Sequence, residues 1–126
     1  MGTDLVHVPR IQKVLARHGQ RFAERVLAPE ELLRWQTHAD PAAYLAKRWA
    51  VKEAAAKALG TGIGGDTGFH DLRVARSAAG KPLLLVTGRA EATARALGIE
   101  HWHVSISDEG DYALAFVVAE GRTGAA

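Results

Sequence analysis

Cysteine is absent from this chain of 126 residues. Its absence excludes disulfide bonds, thiolate nucleophiles and thiolate metal ligands, so any metal site must use oxygen or imidazole ligands. Long apolar runs are also absent, since the longest, 113–119, is far shorter than the roughly 20 residues that a membrane-spanning helix needs. Asp4, Arg10 and Lys13 interrupt the N-terminal segment, which excludes the apolar core of a signal peptide. We therefore expect a soluble, cytoplasmic protein with no membrane partner.

Aromatic side chains are scarce, because Phe, Trp and Tyr together make up 6% of the chain. This scarcity disfavours the stacking platform on which single-stranded nucleic acids bind. No Pro-rich or Ser-rich stretch divides the sequence, and its length suits one domain of roughly 100 to 200 residues. We expect a single domain over residues 1–120, followed by a flexible tail at 121–126.

Local patterns predict a short strand, four helices, a hairpin, a fifth helix and a final pair of strands. The clearest helix is Pro41–Leu59, because Asp40 is a good N-cap, the interior is rich in alanine and Gly60 ends it. Helices gathered first and hairpins later are typical of an α+β fold. The predicted order is β-α-α-α-α-β-β-α-β-β, with a mainly antiparallel sheet packed against the long helix.

Glu53 and Lys57 lie four residues apart on the long helix and therefore share one face. An ordinary surface ion pair is one interpretation of this spacing. The other comes from the loop that follows, Gly60–Gly68, which has five glycines in nine residues and lets a ligand approach the main chain closely. Exposed backbone N–H groups there could hold an anion beside the lysine. The loop follows a helix and lacks Gly-Lys-Ser or Gly-Lys-Thr, so it is not a Walker-type loop.

Asp4 stands near the end of the first predicted strand, where an aspartate is commonly a turn former or a cap. Paired with Glu53, it would give the two carboxylates that magnesium prefers alongside phosphate oxygens and water. His103 alternates with the apolar residues of a late strand, so it faces away from the core. It is either an exposed histidine without a role or a donor to a phosphate.

A basic stripe runs along the first two predicted helices, where five cations face a single acid, Glu24. A solvated helix face is the plain interpretation. Nucleic acid phosphates or the acidic helix of a protein partner are the functional ones. The cations are Arg10, Lys13, Arg17, Arg21 and Arg25.

Three segments together resemble the holo-acyl-carrier-protein synthase family of phosphopantetheinyl transferases. They are Gly-Thr-Asp-Leu-Val at 2–6, His-Val-Ser-Ile-Ser at 103–107 and, most specific, Lys-Glu-Ala-Ala-Ala-Lys-Ala-Leu-Gly-Thr-Gly-Ile at 52–63. A fourth, Arg-Phe-Ala-Glu-Arg-Val-Leu at 21–27, resembles the second helix of the family. The resemblance extends over residues 2 to 119, nearly the whole chain.

The resemblance implies a reaction and a site. A serine hydroxyl of an apo-acyl carrier protein attacks the β-phosphorus of coenzyme A and takes its phosphopantetheine arm, and adenosine 3′,5′-bisphosphate leaves. Asp4 and Glu53 hold Mg²⁺, and Glu53 also orients or deprotonates the serine or a metal-bound water. Lys57, Gly60, Thr61 and Gly62 contact coenzyme A, His103 reaches the nucleotide from a neighbouring subunit of a homotrimer, and Arg10, Arg21 and Arg25 grip the carrier protein.

Two other functions remain open on the residues alone. A metal-dependent phosphodiesterase would use the same carboxylates to hydrolyse a substrate instead of transferring its arm. A small basic RNA-binding protein would use the basic stripe and no metal. We expect no nucleic acid partner, because the aromatic platform is missing.

Overall fold

The computed structural model describes residues 1–122. Eleven elements follow one another along the chain: β1 (Gly2–His7), α1 (Val8–His18), α2 (Gln20–Val26), α3 (Pro29–Thr37), α4 (Pro41–Leu59), a 3₁₀ turn (Phe69–Asp71), β2 (Leu72–Arg76), β3 (Pro82–Val86), α5 (Gly88–Ala96), β4 (Ile99–Glu109) and β5 (Tyr112–Gly121). The α+β class and the predicted order of helices and strands are confirmed.

Helix α4 is the centre of the fold, because twelve of its nineteen residues are buried. Asp40 caps its start by accepting a hydrogen bond from the backbone N–H of Ala43 at 3.2 Å. Gly60 ends it in the left-handed conformation, with φ of 78°, which glycine adopts without steric cost. Alanine occupies much of the helix surface, so neighbouring elements approach the helix axis closely. The result is a helix enclosed by protein over most of its surface.

The main sheet is antiparallel with the order β1-β5-β4, and a separate antiparallel hairpin is formed by β2 and β3. One face of the main sheet packs on α4 through small or branched side chains of β5, namely Ala113, Ala115 and Val117, which are all fully buried. The opposite face remains open. The first and last strands therefore lie side by side and together cover the central helix.

The predicted alternation along β4 is confirmed. Trp102, Val104 and Ile106 are partly buried against the core, whereas His103 and its alternate neighbours are exposed.

Gly121, the first residue of the expected tail, is the last residue of β5 and pairs with Ile99, while 123–126 lie outside the described residues. Among residues 1–122, no helix is long and apolar enough to cross a membrane.

Candidate active site

A close contact between β1 and α4 places the first site residue. Gly2 lies so near the helix that an added Cβ would stand 2.0 Å from the carbonyl oxygen of Ala54 and 2.9 Å from the Cβ of Lys57. Only glycine permits this approach. Asp4 is two residues beyond Gly2 on β1. Because side chains alternate along a strand, Asp4 lies on the same face as Gly2 and points toward the helix.

Asp4 and Lys57 form an ion pair at the exposed end of this contact. The Nζ of Lys57 lies 3.2 Å from Oδ1 of Asp4 and donates a second hydrogen bond, of 2.9 Å, to the backbone carbonyl of Thr3. The carboxylate of Asp4 is largely buried, with 16% of its side chain exposed, whereas 52% of the Lys57 side chain is exposed. About half of the Lys57 side chain is therefore accessible to an incoming anion.

Glu53 lies one turn before Lys57 on α4, half-buried beside Asp4. Burial raises the pKa of Glu53, the nearby charge of Asp4 raises that pKa further, and the ammonium of Lys57 opposes both effects. A neighbouring anion that raises a carboxyl pKa must lie close to it. The two carboxylates therefore lie close enough for the charge of one to affect the other.

This pair of carboxylates suits a divalent cation. Oδ2 of Asp4 is buried, and no donor among residues 1–122 reaches it, so this oxygen has lost water without gaining a hydrogen bond. Burying such an oxygen costs free energy unless a cation or a hydrogen-bond donor contacts it. Within the same described range, no cluster of three or more His, Asp or Glu side chains forms a metal cage. Two carboxylates that leave room for phosphate and water match the preference of Mg²⁺.

The glycine loop begins where α4 ends, one turn beyond Lys57. Gly62 and Gly64 have φ of 66° and 133°, values that side-chain-bearing residues rarely adopt. Thr61 donates its hydroxyl hydrogen to the carbonyl of Gly62 at 2.8 Å and lies 2.9 Å from the hydroxyl oxygen of the buried Thr67. The loop thus exposes backbone beside the ion pair, where an anion would also meet the lysine.

Comparisons with known proteins agree with this geometry. Residues 1–117 match the sequence pattern of the 4′-phosphopantetheinyl transferase superfamily. This chain belongs to that superfamily. It is 53% identical over 121 residues to the holo-[acyl-carrier-protein] synthase of Edwardsiella ictaluri, with 96% of each chain covered, and 47% identical over 123 residues to that of Hydrogenovibrio crunogenus, covering 98% of this chain and 97% of the relative.

Solved structures agree as well. The holo-[acyl-carrier-protein] synthase of Neisseria meningitidis superposes with a TM-score of 0.89 at 45% identity, covering 94% of this chain and 95% of that one. The Helicobacter pylori enzyme in complex with coenzyme A superposes with a TM-score of 0.83 at 32% identity, covering 94% and 98%. The fold of a phosphopantetheinyl transferase is therefore confirmed for this chain.

The structure separates His103 from the other predicted site residues. His103 pairs with Val118 on the open face of the main sheet, whereas Asp4 pairs with Ala115 on the face that packs against α4. Its only charged neighbour within the described residues is Glu120, 3.7 Å away. Within one chain, His103 does not reach Asp4, Glu53 or Lys57.

The predicted carrier-binding arginines divide between two places. Arg10 lines a small cleft of about 150 Å³ with Asp4, Phe22 and Trp49. Arg21 and Arg25 line a larger groove of about 600 Å³ between α1 and α2, together with Arg17, His18 and Phe22, and none of these lining residues is acidic. Phe22 borders both, so the basic groove and the cleft beside the carboxylates are adjacent.

Sequence reasoning missed a buried ionic network next to Glu53. The Nζ of Lys52 donates hydrogen bonds to Oε1 of Glu31 at 2.6 Å, to the carbonyl of Val26 at 2.6 Å and to the carbonyl of Phe69 at 3.1 Å. Burial lowers the pKa of Lys52, and the charge of Glu31 opposes that shift. Lys52 therefore joins α2, α3 and the 3₁₀ turn that ends the glycine loop. The available signal was the surface of α4, which is too apolar on every side to leave this lysine in water.

A second basic cavity was also missed. It has a volume of about 430 Å³ and lies between α3, the start of α4 and the end of β2. The guanidinium of the buried Arg48 stacks 3.8 Å from the ring centre of Tyr44, and burial lowers the pKa of Arg48. Four cations and no acid line this cavity, namely Arg34, Lys47, Arg48 and Arg76. Two of these cations already have acidic partners outside the lining, since Lys47 pairs with Asp108 and Arg48 with Glu31. This leaves Arg34 and Arg76 as the cations of this lining without an ion pair in the described chain.

Proposed function

We propose that this chain transfers the 4′-phosphopantetheine arm of coenzyme A to a serine of an apo-acyl carrier protein and releases adenosine 3′,5′-bisphosphate. The observation that carries the proposal is the meeting of Asp4, Glu53 and Lys57 at the mouth of an open glycine loop. The related chains that share this fold are holo-[acyl-carrier-protein] synthases, and one of them is described in complex with coenzyme A.

The carboxylates of Asp4 and Glu53 hold Mg²⁺ in this proposal. When bound, the ion supplies positive charge that offsets the negative charge of the pyrophosphate as an oxygen nucleophile approaches. Lys57 adds a second positive charge and turns its exposed ammonium from Asp4 toward a phosphate oxygen. Gly60, Thr61 and Gly62 line the start of the loop that coenzyme A approaches. The N–H groups of Gly60 and Gly62 already donate to the carbonyls of Lys57 and Ala56, at 3.0 and 3.3 Å, so other N–H groups of the loop orient the remaining phosphate oxygens. In this proposal Glu53 also orients the serine hydroxyl or accepts its proton.

The basic groove receives the carrier protein. Arg21 and Arg25 provide positive charge without a competing acid in the groove lining, and Arg10 continues this charge to the cleft beside Asp4. An acidic helix bound along these residues would bring its serine toward the carboxylates. Such complementarity raises the association rate and fixes the orientation of the partner.

We further propose a homotrimer in the cytoplasm, with each active site completed by a neighbouring subunit. The open face of the main sheet supports this arrangement, because Leu5, Tyr112, Leu114 and Phe116 are all exposed there. An apolar patch of this kind usually marks an interface. His103 lies on the same face, so association through it would bring this histidine to the site of another subunit.

A mass measurement tests the transferase proposal. The chain is incubated with coenzyme A, Mg²⁺ and an apo-carrier protein, and mass spectrometry of the carrier detects the added phosphopantetheine arm. Parallel reactions contain a chelator, or a carrier whose acceptor serine is replaced by alanine. We expect the mass gain only in the complete reaction, and no gain at saturating Mg²⁺ would refute the proposal. Free phosphopantetheine in a reaction without carrier would indicate a phosphodiesterase instead, and a gel shift with RNA at physiological salt would indicate RNA binding.

A further inference from the structure

The tip of the glycine loop has almost no packing of its own. A Cβ added at Gly62, Gly64 or Gly65 would meet no atom within 4 Å. Glycine also loses more backbone freedom on ordering than any other residue. The shape of this loop therefore depends on a few hydrogen bonds.

Some of these hydrogen bonds are internal to the loop. Gly64 and Thr67 exchange backbone hydrogen bonds of 2.8 and 2.7 Å, and the hydroxyl oxygens of Thr61 and Thr67 lie 2.9 Å apart. These internal hydrogen bonds define a turn, but they do not fix the orientation of that turn relative to the rest of the fold. Hydrogen bonds from the N–H groups of Thr61 and Gly62 to the carbonyl of Ala56, at 3.1 and 3.3 Å, fix the first half of the loop to α4. The second half needs a contact from another element.

Arg89, the second residue of α5, supplies such a contact. Its Nη1 donates a hydrogen bond to the carbonyl oxygen of Gly65. Its Nη2 lies 3.4 Å from the position that a Cβ on Gly68 would occupy. The guanidinium therefore spans the second half of the loop. Within residues 1–122, this is the only side chain beyond β3 that hydrogen-bonds to the loop.

The helix that carries Arg89 is itself fixed to the end of the loop through Asp71. Oδ2 of Asp71 accepts a hydrogen bond from the N–H of Gly68 at 3.0 Å, and the Asp71 carbonyl accepts one from the N–H of Thr87 at 2.9 Å. Gly88 packs so closely on this carboxylate that a Cβ would lie 2.6 Å from Oδ1. The start of α5 thus has a defined position relative to the loop, and Arg89 reaches back from it.

We propose that Arg89 is a positioning residue that holds the glycine loop in the shape that binds coenzyme A. The inference rests on the proposed function of the loop. Without the guanidinium, the loop would sample many glycine conformations, and coenzyme A would have to order it on binding. Affinity for coenzyme A would fall, whereas recognition of the carrier protein would not change, because its groove lies between α1 and α2.

The test compares Arg89→Ala and Arg89→Lys with the wild type, and with Arg95→Ala as a matched control. Arg95 is exposed on the same helix and pairs only with Glu91, 2.6 Å away, in the described chain. Hydrogen–deuterium exchange is measured on the amides of residues 60–68, and coenzyme A binding is measured by calorimetry at saturating Mg²⁺. Steady-state kinetics gives KM for coenzyme A, KM for the carrier, and kcat.

For Arg89→Ala we expect faster exchange in the loop and roughly fivefold weaker binding of coenzyme A, the loss typical of one ordinary hydrogen bond, because solvent weakens the contribution of this exposed guanidinium. KM for coenzyme A should rise by the same factor with kcat and carrier KM unchanged. Lysine should restore part of the affinity, and Arg95→Ala should match the wild type. Unchanged loop exchange, or equal effects on both KM values, would overturn the inference. Normal coenzyme A binding by a wild type that transfers nothing would refute the transferase proposal and leave this inference standing.

Discussion

Replacing Lys52 by methionine should destabilise the fold strongly. Methionine has a similar length but donates none of the three hydrogen bonds that Lys52 makes to Glu31, Val26 and Phe69. The carboxylate of Glu31 stays buried and loses its 2.6 Å partner, and the remaining cation, Arg48, is 3.8 Å from its other oxygen. Removing one member of a buried ion pair costs ~3–5 kcal/mol. We expect a loss of that size in the free energy of unfolding.

Urea unfolding, followed by circular dichroism at one protein concentration for all variants, measures this loss. Lys47→Met is the matched control, because Lys47 lies on the same helix and pairs with Asp108 at 3.1 Å in a partly exposed position. A pair of that kind contributes ~0–1 kcal/mol. In the double variant with Glu31→Gln, the combined loss should be smaller than the sum of the two single losses. A loss below ~1 kcal/mol for Lys52→Met would refute the reasoning.

Three further changes test the site and the open sheet face. Glu53→Gln should abolish Mg²⁺-dependent transfer, and its melting temperature should equal or exceed that of the wild type. The pKa of Glu53 is raised in the folded state, so stability falls as pH rises from the unfolded pKa to the raised one, and glutamine removes this loss. Gly2→Ala should lower activity and cost ~1–3 kcal/mol of stability, measured in urea, because its Cβ collides with the carbonyl of Ala54. Leu114→Glu should reduce the mass measured by light scattering to that of a single chain, because it places charge in the proposed subunit interface.

Each of these has its own control. Near-full activity of Glu53→Gln would contradict the proposed metal site, and a lower melting temperature would contradict the raised pKa of Glu53. Gly110→Ala makes the same change at a glycine where an added Cβ meets no atom within 4 Å, although its φ of 56° adds some strain. If that variant lost as much activity as Gly2→Ala, the collision with the carbonyl of Ala54 would not be the cause of the lower activity. Leu33→Glu alters a leucine on α3 that is more exposed than Leu114, 68% against 41%, and should leave the assembly intact.

Much of the fold could be predicted because its boundaries carry local signals. Pro41 and Asp40 at the start of α4, and Gly60 at its end, act within one turn of the backbone that they terminate. The strand alternation of β4 is equally local. The pairing of β1 with β5 is not local, because it joins segments more than a hundred residues apart and no residue in either strand specifies its partner.

Candidate site residues could be predicted where chemistry restricted the residue type. They could not be predicted where their positions depend on tertiary packing. Asp4 and Glu53 were paired because magnesium favours carboxylates, and the family resemblance supported the pair. The basic stripe was predicted as one surface, but Arg10 near the start of α1 lines the carboxylate cleft, whereas Arg17 near its end and Arg21 on α2 line the larger groove. Lys52 was overlooked because a lysine on a helix usually extends its ammonium into water.

The position of β1 at the edge of the sheet, held by β5, has a consequence for synthesis of the chain. Asp4 is synthesised more than a hundred residues before the strand that aligns it, Tyr112–Gly121. At about 5–20 residues per second, several seconds separate the two events. Throughout that interval the nascent polypeptide carries both carboxylates without the strand that brings them together, so a nascent chain that stalls before β5 emerges should have no activity.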